Sequence, residues 1–190
     1  PATGRRLRDV AGSTLCTHVG LSGPAILDTS RHWLVARAAD AAVRLTLNWL
    51  PGTTADEADR WLAAGQGRGA VATLRERLPE RLARALCAVA EAPPGGDLPR
   101  EPRRRLAAAV TATPLPVTGD RGFAVAEATA GGVPLAEVRL ETMESRVCPG
   151  LSLAGELLDV DGRIGGFNFQ WAWASGFVAG TAAAGRLTTS

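Results

Sequence analysis

Short apolar stretches alternate with turn residues over the first fifty positions of the chain. Residues 5–17 predict a β-hairpin whose turn lies at 11–13. Pro24 suits the first turn of a helix, because its missing N–H would be unpaired there, and this helix is expected to run to about Trp33. Apolar side chains occupy every second position of residues 42–50, which predicts a strand.

The middle of the chain has the periodicity of helices. Glu57 follows Thr54 by three residues, which is the spacing of a capping box at the start of a helix. Leucines then recur at every fourth position, and Pro79 interrupts them, which predicts two helices or one kinked helix. These leucines are Leu74, Leu78, Leu82 and Leu86. Residues 92–102 predict a Pro-rich loop, and residues 103–112 predict a last helix.

The last third of the chain mixes short apolar runs with Gly-rich turns. Residues 117–120 predict a strand end and a turn, and the alternating residues 123–129 predict a strand. Residues 151–154 predict another short strand, and 157–167 predict a loop rich in Gly and Asp. Residues 168–184 carry apolar side chains on nearly every side, which predicts a buried helix.

Composition narrows the class of protein. The 190 residues are 46% hydrophobic and 21% charged, which argues against long disorder. The 21 basic residues, all of them Arg, nearly balance the 19 acidic ones, so a nucleic-acid partner is not expected. The three Cys are widely spaced, which indicates a reducing compartment and a cytoplasmic protein. Neither a metal site nor a membrane span is expected, because ligand spacing is missing and the apolar run after 163 is rich in Gly and Ala.

The candidate ligand site lies within residues 150–180, GLSLAGELLDVDGRIGGFNFQWAWASGFVAG. A predicted strand ends at Gly155 and Glu156, and the pair Gly165 and Gly166 leads into the apolar helix. Ligands commonly bind at the carboxyl ends of such strands. Glycines let the backbone approach a ligand closely, and a helix start offers unpaired N–H groups. The carboxylate of Glu156 can accept hydrogen bonds from ligand hydroxyls.

This stretch resembles the bacterial FAD-dependent oxidoreductases of the aminoacetone-oxidase or BaiN-like family. Two further blocks carry the resemblance in the family's order: THVGLSGPAIL at 17–27, and GGV at 131–133 with TMES at 142–145. The resemblance implies an α/β protein with an α+β mixture. In it, a Rossmann-type FAD domain is interrupted by a β-rich insert and a small helical subdomain.

The resemblance also implies how the chain is divided. Residues 1–52 would end the β-rich insert, 53–114 would form the helical subdomain, and 115–190 would complete the FAD domain. The amino-terminal half of that domain, with its pyrophosphate-binding Gly loop, would lie outside this chain. The chain begins at Pro1 rather than Met, which agrees with a piece of a longer protein. We therefore expect the isolated chain to bind FAD weakly or not at all.

The cofactor site follows from the resemblance. Gly155 and Glu156 match the position that holds the ribityl or ribose hydroxyls of FAD, and Asp159 and Asp161 match an acidic loop beside it. The residues expected to face the isoalloxazine are Gly165, Gly166, Phe167, Asn168, Phe169 and Gln170. Their backbone N–H groups would stabilise negative charge on the reduced flavin.

Two positions depart from the family pattern, which usually has Tyr at Phe167 and Thr at Ile164. Both departures remove a side-chain hydroxyl and leave the backbone contacts in place. His18 and Ser22 are candidates for the substrate side of the site, although His18 also fits a residue that stabilises a turn. No catalytic base is assigned, because flavin hydride transfer requires only geometry and a proton source.

The implied activity is hydride transfer between FAD and a small organic substrate, with NAD(P)H as the expected reductant. The expected partners are that substrate and the missing half of the FAD domain. Two alternatives remain open at this stage. One is a non-catalytic remnant that acts as a binding or scaffold module, and the other is a flavoprotein subunit completed by a separate chain.

Overall fold

The chain folds into two compact units. The computed structural model describes residues 4–65 and 67–188. One unit, here called the helical unit, comprises Asp40–Thr118. The other, here called the site unit, is built from Arg6–Ala39 and Gly119–Ser190, which are distant in sequence. The three segments expected from the resemblance divide the chain differently, and their assignment to an insert and an FAD domain stays a prediction.

Helices and small antiparallel sheets share the described residues. Six α-helices and three two-stranded sheets are present there, which confirms the predicted mixed α/β class. The sheets pair β1 with β2, β3 with β4, and β5 with β6. In chain order the elements are β1 Leu15–Thr17, β2 Gly20–Ser22, α1 Pro24–Ala39, β3 Leu45–Leu47, α2 Ala55–Ala64, α3 Ala70–Leu74, α4 Glu80–Val89, α5 Arg100–Thr111, β4 Thr113–Leu115, β5 Val138–Arg139, β6 Glu144–Ser145 and α6 Phe167–Thr188.

The helical unit follows its sequence signals closely. The capping box at the start of α2 is confirmed, since the Thr54 hydroxyl accepts from the Glu57 amide and the Glu57 carboxylate accepts from the Thr54 amide. Pro79 separates α3 from α4, as predicted. Helix α5 begins at Arg100 rather than at 103, because Pro102 lies in its first turn, where no N–H is needed.

The core of the helical unit is formed by α2, α3, α4 and α5. Its largest side chains are almost wholly buried, at 0 or 1% exposure: Leu62, Leu74, Leu106 and Val110. The strand predicted over 42–50 is shorter than expected and covers only Leu45–Leu47. Its partner β4 has three residues and contains Pro114, which cannot donate to the ladder, so the pairing does not extend.

An ion pair joins the two main helices of this unit. Arg103 of α5 donates to both carboxylate oxygens of Asp59 of α2, with Nε–Oδ1 and Nη2–Oδ2 distances of 2.9 and 3.3 Å. The hydrogen bonds from Arg103, aided by its charge, hold the pKa of Asp59 below its usual value against the opposing effect of burial. Because the pKa of Asp59 is lower in the folded state than in the unfolded state, the ion pair stabilises the fold at pH values above the unfolded-state pKa. This stabilisation is lost as the pH falls through the folded-state pKa.

Asp59→Asn is therefore expected to lower the stability of the protein at pH 7 and to leave it nearly unchanged at the most acidic pH. The difference from the wild type should shrink below about pH 4, where the unfolded carboxyl takes up its proton. Urea unfolding across this range measures the effect. Asp56→Asn, at an exposed position on the same helix, is the control and should lower stability at pH 7 by less than Asp59→Asn, because the Asp56 carboxylate forms no ion pair with Arg103.

The amino-terminal part of the site unit differs from the sequence prediction. The hairpin predicted over 5–17 is wrong. The hairpin that forms pairs β1 with β2, and residues 6–14 contain no strand. The side chain of Thr17 decides this, because it donates to the Gly20 carbonyl and accepts from the Val19 amide, which closes the turn there. Helix α1 begins at Pro24 as predicted, but continues past Trp33 to Ala39 because the added residues favour helix.

Two of the predicted strands of the site unit do not form. Residues 123–129 contain a single 3₁₀ turn, Phe123–Val125, and the side chain of Phe123 is 86% exposed. Residues 151–154 contribute one isolated bridge, between Ser152 and Glu144. Alternation predicts a strand only where a partner strand and a buried face are present, and within the described part of the chain residues 123–129 have neither. Residues 151–154 bury Leu153 and bond to the segment around β6, but this pairing is too short to form a strand.

Helix α6 buries one face instead of its whole surface. Trp171, Val178 and Ala179 pack on a small core formed by Val138, Met143, Leu153 and Leu158. The opposite side carries Phe169, Trp173 and Phe177, here called the aromatic stripe, whose side chains are 68, 68 and 75% exposed. The expectation of a helix buried all round is therefore wrong for the described residues. None of the helices in the described part of the chain is long and apolar enough to cross a membrane.

Candidate functional site

Two distant segments lie side by side at the predicted cofactor site. Val133 donates its amide to the Leu157 carbonyl, and Asp159 donates its amide to the Val133 carbonyl, both at 2.9 Å. Gly132 makes this approach possible, because a Cβ there would lie 2.5 Å from the Leu157 carbonyl oxygen. The GGV block therefore serves as a close backbone neighbour of residues 155–160.

The predicted carboxylates bind the backbone of the neighbouring segment. Glu156 Oε1 accepts from the Thr129 amide at 2.7 Å, and Asp159 Oδ1 accepts from the Gly131 amide at 3.2 Å. Both carboxylates are exposed, so they remain accessible to a ligand. Sequence reasoning assigned them to a cofactor alone and missed this second role, for which no local signal exists.

Helix α6 forms hydrogen bonds with both the amide and the carbonyl of Gly155. Its amide donates to Ser175 Oγ at 2.9 Å, and its carbonyl accepts from Trp171 Nε1 at 3.1 Å. Ser175 is 2% exposed and also donates to the Trp171 carbonyl at 2.6 Å. The start of the acidic loop is thus fixed to the helix that begins after the glycine pair.

The glycine turn, defined here as Gly165 and Gly166, has a backbone that only glycine adopts easily. The φ angles are +124° and +91°, and no atom lies within 4 Å of the place where a Cβ on Gly166 would be. The Gly166 carbonyl accepts from the Gln170 amide, which starts α6. The amides of residues 167–169 lie in the first turn, where helix geometry provides no intrahelical acceptor.

Side chains close the loop that precedes α6. The carboxamide of Asn168 accepts from the Gly162 amide at 2.7 Å and donates to the Gly162 carbonyl at 3.2 Å. The Arg163 guanidinium lies over the ring of Phe167, 5.1 Å from its centroid. Asn168 therefore shapes the loop with its side chain, which leaves only its backbone for the role predicted from sequence.

Helix α1 also contacts this loop, which the sequence did not indicate. Asp28 Oδ1 accepts from the Ile164 amide at 2.8 Å, and Arg31 forms an ion pair with Asp161. The bonded residues are 136 positions apart, so no local pattern connects them. His32 follows on the same helix, where burial and the neighbouring Arg31 and Arg8 hold its pKa below the usual value.

The two substrate-side candidates lie in the β1–β2 hairpin. His18 is exposed in the turn, and Ser22 is half-buried at the end of β2. Among the described residues, no hydrogen bond joins either side chain to residues 155–170. The structure thus joins Gly155 to α6 through Ser175, and it joins the loop at 161–164 to Asp28 and Arg31 of α1. It places Glu156 and Asp159 against residues 129–131. The role of His18 and Ser22 stays a prediction.

Glu144, another acidic residue of this unit, is committed to structure. Its carboxylate accepts from the Gly150 amide at 2.8 Å and forms ion pairs with Arg139 and Arg186. The Gly150 hydrogen bond and the two arginines hold the pKa of Glu144 below its usual value. This carboxylate is therefore a poor proton acceptor at neutral pH. No cluster of His, Cys, Asp and Glu suited to a metal ion occurs in the described ranges.

The residues of the site fit the chemistry of FAD. The isoalloxazine requires hydrogen-bond donors toward its pyrimidine edge, and the first turn of α6 offers amides beside an open glycine. The sugar and ribityl hydroxyls require acceptors, and Glu156 offers an exposed carboxylate. The open space over Gly166 is what close approach of a planar ring would need. Gly155, Glu156, Asp159 and residues 165–170 would hold the cofactor.

Comparison with known proteins shows the family of the chain. The HI0933-like protein Rossmann domain matches residues 13–182. The chain is 34% identical over 187 residues to the 3-dehydro-bile acid delta(4,6)-reductase of Clostridium scindens, covering 95% of this chain and 46% of that protein. It is also similar to proteins named ribosomal RNA dihydrouridine synthase.

The chain is 35% identical over 164 residues to the Escherichia coli protein of that name, covering 85% of this chain and 40% of the relative. The Haemophilus influenzae protein of the same name is 30% identical over 166 residues, covering 86% and 40%. The chain thus spans less than half the length of these curated relatives. Since the Rossmann-domain match covers most of the chain, the chain belongs to the HI0933-like Rossmann family of BaiN-like and aminoacetone-oxidase-like proteins.

Proposed function

We propose that the protein containing this chain is an FAD-dependent oxidoreductase. The observation that carries the proposal is the open glycine turn at the start of α6. The exposed carboxylate of Glu156 follows Gly155, which α6 holds through Trp171 and Ser175. When bound and reduced, FAD would supply the hydride. The amides of residues 167–169 would stabilise negative charge on the reduced ring before the hydride leaves, and Glu156 would accept hydrogen bonds from cofactor hydroxyls.

The substrate class follows from chemistry that the relatives' names share. A delta(4,6)-reductase and a dihydrouridine synthase both add hydrogen to a carbon–carbon double bond of a ring. In a 3-oxo steroid and in uracil that bond is conjugated with a carbonyl, which accepts the negative charge developed by hydride addition. We assign this chain to the reduction of such activated double bonds, with NAD(P)H as the reductant.

Near-neutral charge supports a small organic substrate over RNA. The chain carries 21 basic and 19 acidic residues, and five of the arginines in the helical unit pair with carboxylates. Phosphate-binding surfaces instead concentrate unpaired positive charge. A cyclic enone is therefore the favoured substrate of the two.

The protein expressed from the complete reading frame provides the test. We expect a yellow protein that releases FAD on denaturation, and whose flavin is bleached by NADPH or NADH and reoxidised by a 3-oxo-Δ4 steroid. Reoxidation by a uridine-containing RNA instead would keep the flavin chemistry and overturn the choice of substrate. A colourless protein that stays colourless with added FAD would contradict the oxidoreductase.

One observation favours a binding module as the second candidate. The aromatic stripe of α6 leaves three large apolar side chains in solvent, which is typical of an interface. Under the leading proposal, the remainder of the FAD domain covers this stripe, because the relatives are about twice as long as this chain. If the protein of the complete reading frame binds no FAD, the stripe becomes the main evidence for a scaffold role.

A further inference from the structure

We infer that Asp28 is a positioning residue for the glycine turn, and that FAD affinity depends on its hydrogen bond to the Ile164 amide. The inference rests on the proposed function, since it concerns the turn that would hold the flavin. Asp28 belongs to α1, and Ile164 directly precedes Gly165. A carboxylate that accepts from a backbone amide forms a charge-assisted bond, which is stronger than a neutral one.

Helix α1 is a firm support for this contact. The Ala25 amide donates to the Ser13 carbonyl at 3.2 Å, and a Cβ on Gly23 would lie 2.8 Å from the same oxygen. Ala25 is buried, at 7% exposure. The first turn of α1 is thereby packed against the chain before β1, a contact that does not involve the loop.

The two contacts from α1 act on one face of the helix. Asp28 and Arg31 are three residues apart, and residues at this spacing are neighbours on a helix surface. Arg31 pairs with Asp161, so α1 holds the loop at 161 and again at 164. The loop is therefore fixed just before the backbone adopts the positive φ angles of the glycine turn.

The other end of the turn is fixed by α6 itself. Asn168 bonds to both backbone groups of Gly162, and Gln170 bonds to the Gly166 carbonyl. These contacts set the loop's shape but belong to the same continuous segment. The bonds from α1 instead hold residues 161–164 against a separate element. They therefore determine where the glycine turn lies relative to the start of the acidic loop at Gly155.

Positive side chains lie along the loop that Asp28 contacts. Arg31 pairs with Asp161, and the guanidinium of Arg163 lies over the ring of Phe167. Asparagine at position 28 would keep an acceptor oxygen but lose the charge, so it separates the hydrogen-bond geometry of Asp28 from its charge.

The test compares Asp28→Ala with Asp28→Asn in the protein from the complete reading frame. Alanine removes the acceptor, whereas asparagine keeps an oxygen for the Ile164 amide. We expect Asp28→Ala to speed hydrogen exchange of that amide about tenfold and to weaken FAD binding about tenfold, from loss of a charge-assisted bond. Asp28→Asn should restore most of both properties. Exchange is followed by mass spectrometry in flavin-free protein, and binding by flavin fluorescence titration.

Asp120→Ala is the matched control. Asp120 Oδ1 accepts from the Gly122 amide at 2.6 Å in an exposed turn of the same unit, so its removal also deletes a carboxylate–amide bond. It should leave FAD affinity and Ile164 exchange unchanged. If Asp28→Ala does not fold, Arg31→Gln replaces it, with an expected effect of about twofold because the pair is partly exposed.

The outcomes separate the inference from the function beneath it. Unchanged exchange at Ile164 in Asp28→Ala would overturn the anchoring. Faster exchange with unchanged FAD affinity would overturn the dependence of the cofactor on it, as would equal weakening by Ala and Asn. If the wild-type protein binds no FAD, the proposed function fails, and the inference about FAD affinity fails with it. The exchange measurement still reports on the contact between α1 and the loop, so the two failures are distinguishable.

Discussion

Gly166→Ala is expected to weaken FAD binding about a hundredfold, a loss of roughly 2.7 kcal/mol of binding free energy. The methyl group would occupy the open space in which a planar ring approaches the backbone, since no protein atom lies within 4 Å of that point. The same variant should lower the free energy of unfolding by only about 1–2 kcal/mol, from the positive φ angle. Fluorescence titration and urea unfolding measure the two effects.

Gly150→Ala is the control for this result. Gly150 has a φ of +83°, close to the +91° of Gly166, and a Cβ there would also meet no atom within 4 Å. It lies in the turn after β6 and belongs to no predicted cofactor contact. Both variants should lose similar stability, but only Gly166→Ala should lose FAD. Equal FAD affinity in the two variants would remove Gly166 from the cofactor site.

The second large effect is expected from Leu158→Ala, which should lower the free energy of unfolding by about 2–5 kcal/mol. Leu158 is 0% exposed and contacts the small core beneath α6, between the acidic loop and the GGV segment. Truncation of Leu158 leaves a cavity. Because this core contains few side chains, little can move in to fill it. Denaturant unfolding followed by tryptophan fluorescence, to which Trp171 on the same core contributes, reports the loss.

The neighbouring residue supplies the control. Leu157 has the same side chain but is 56% exposed, so Leu157→Ala should change stability by no more than about 0.5 kcal/mol. Both residues lie between Gly155 and Asp159, and the substitution is the same in both, so the variants differ chiefly in the burial of the side chain removed. A loss of stability in Leu157→Ala equal to that in Leu158→Ala would show that the loop, rather than the core beneath it, carries the effect.

The helical unit was predictable because its signals are local. A capping box spans four residues, and an interrupting proline acts on its own turn, so Thr54 and Pro79 specify helix boundaries wherever the rest of the chain lies. The same holds for Pro24 at the start of α1. The prediction erred at α5, where Pro102 was taken as part of a loop although the first turn of a helix accepts it.

The strands of the site unit were predicted poorly because a strand exists only with its partner. Residues 123–129 alternate well, yet they face solvent and pair with no strand in the described part of the chain. The hairpin was displaced because Thr17 closes a turn that composition favours less than the Gly-containing turn at 11–13. Alternating apolar and polar residues indicate which face of a strand could be buried. Only the tertiary structure provides the residues against which that face packs.

The residue order of the chain was enough to predict its family and the starts of α1 and α2. The helix starts depend on neighbours in the sequence, and the family match over residues 13–182 confirms the family. Folding brought together what lies far apart: Glu156 with Thr129, Gly155 with Ser175, and Asp28 with Ile164 across 136 positions. Such contacts join side chains to backbone groups of any residue type, so no pattern of residue types reveals them before the chain is folded.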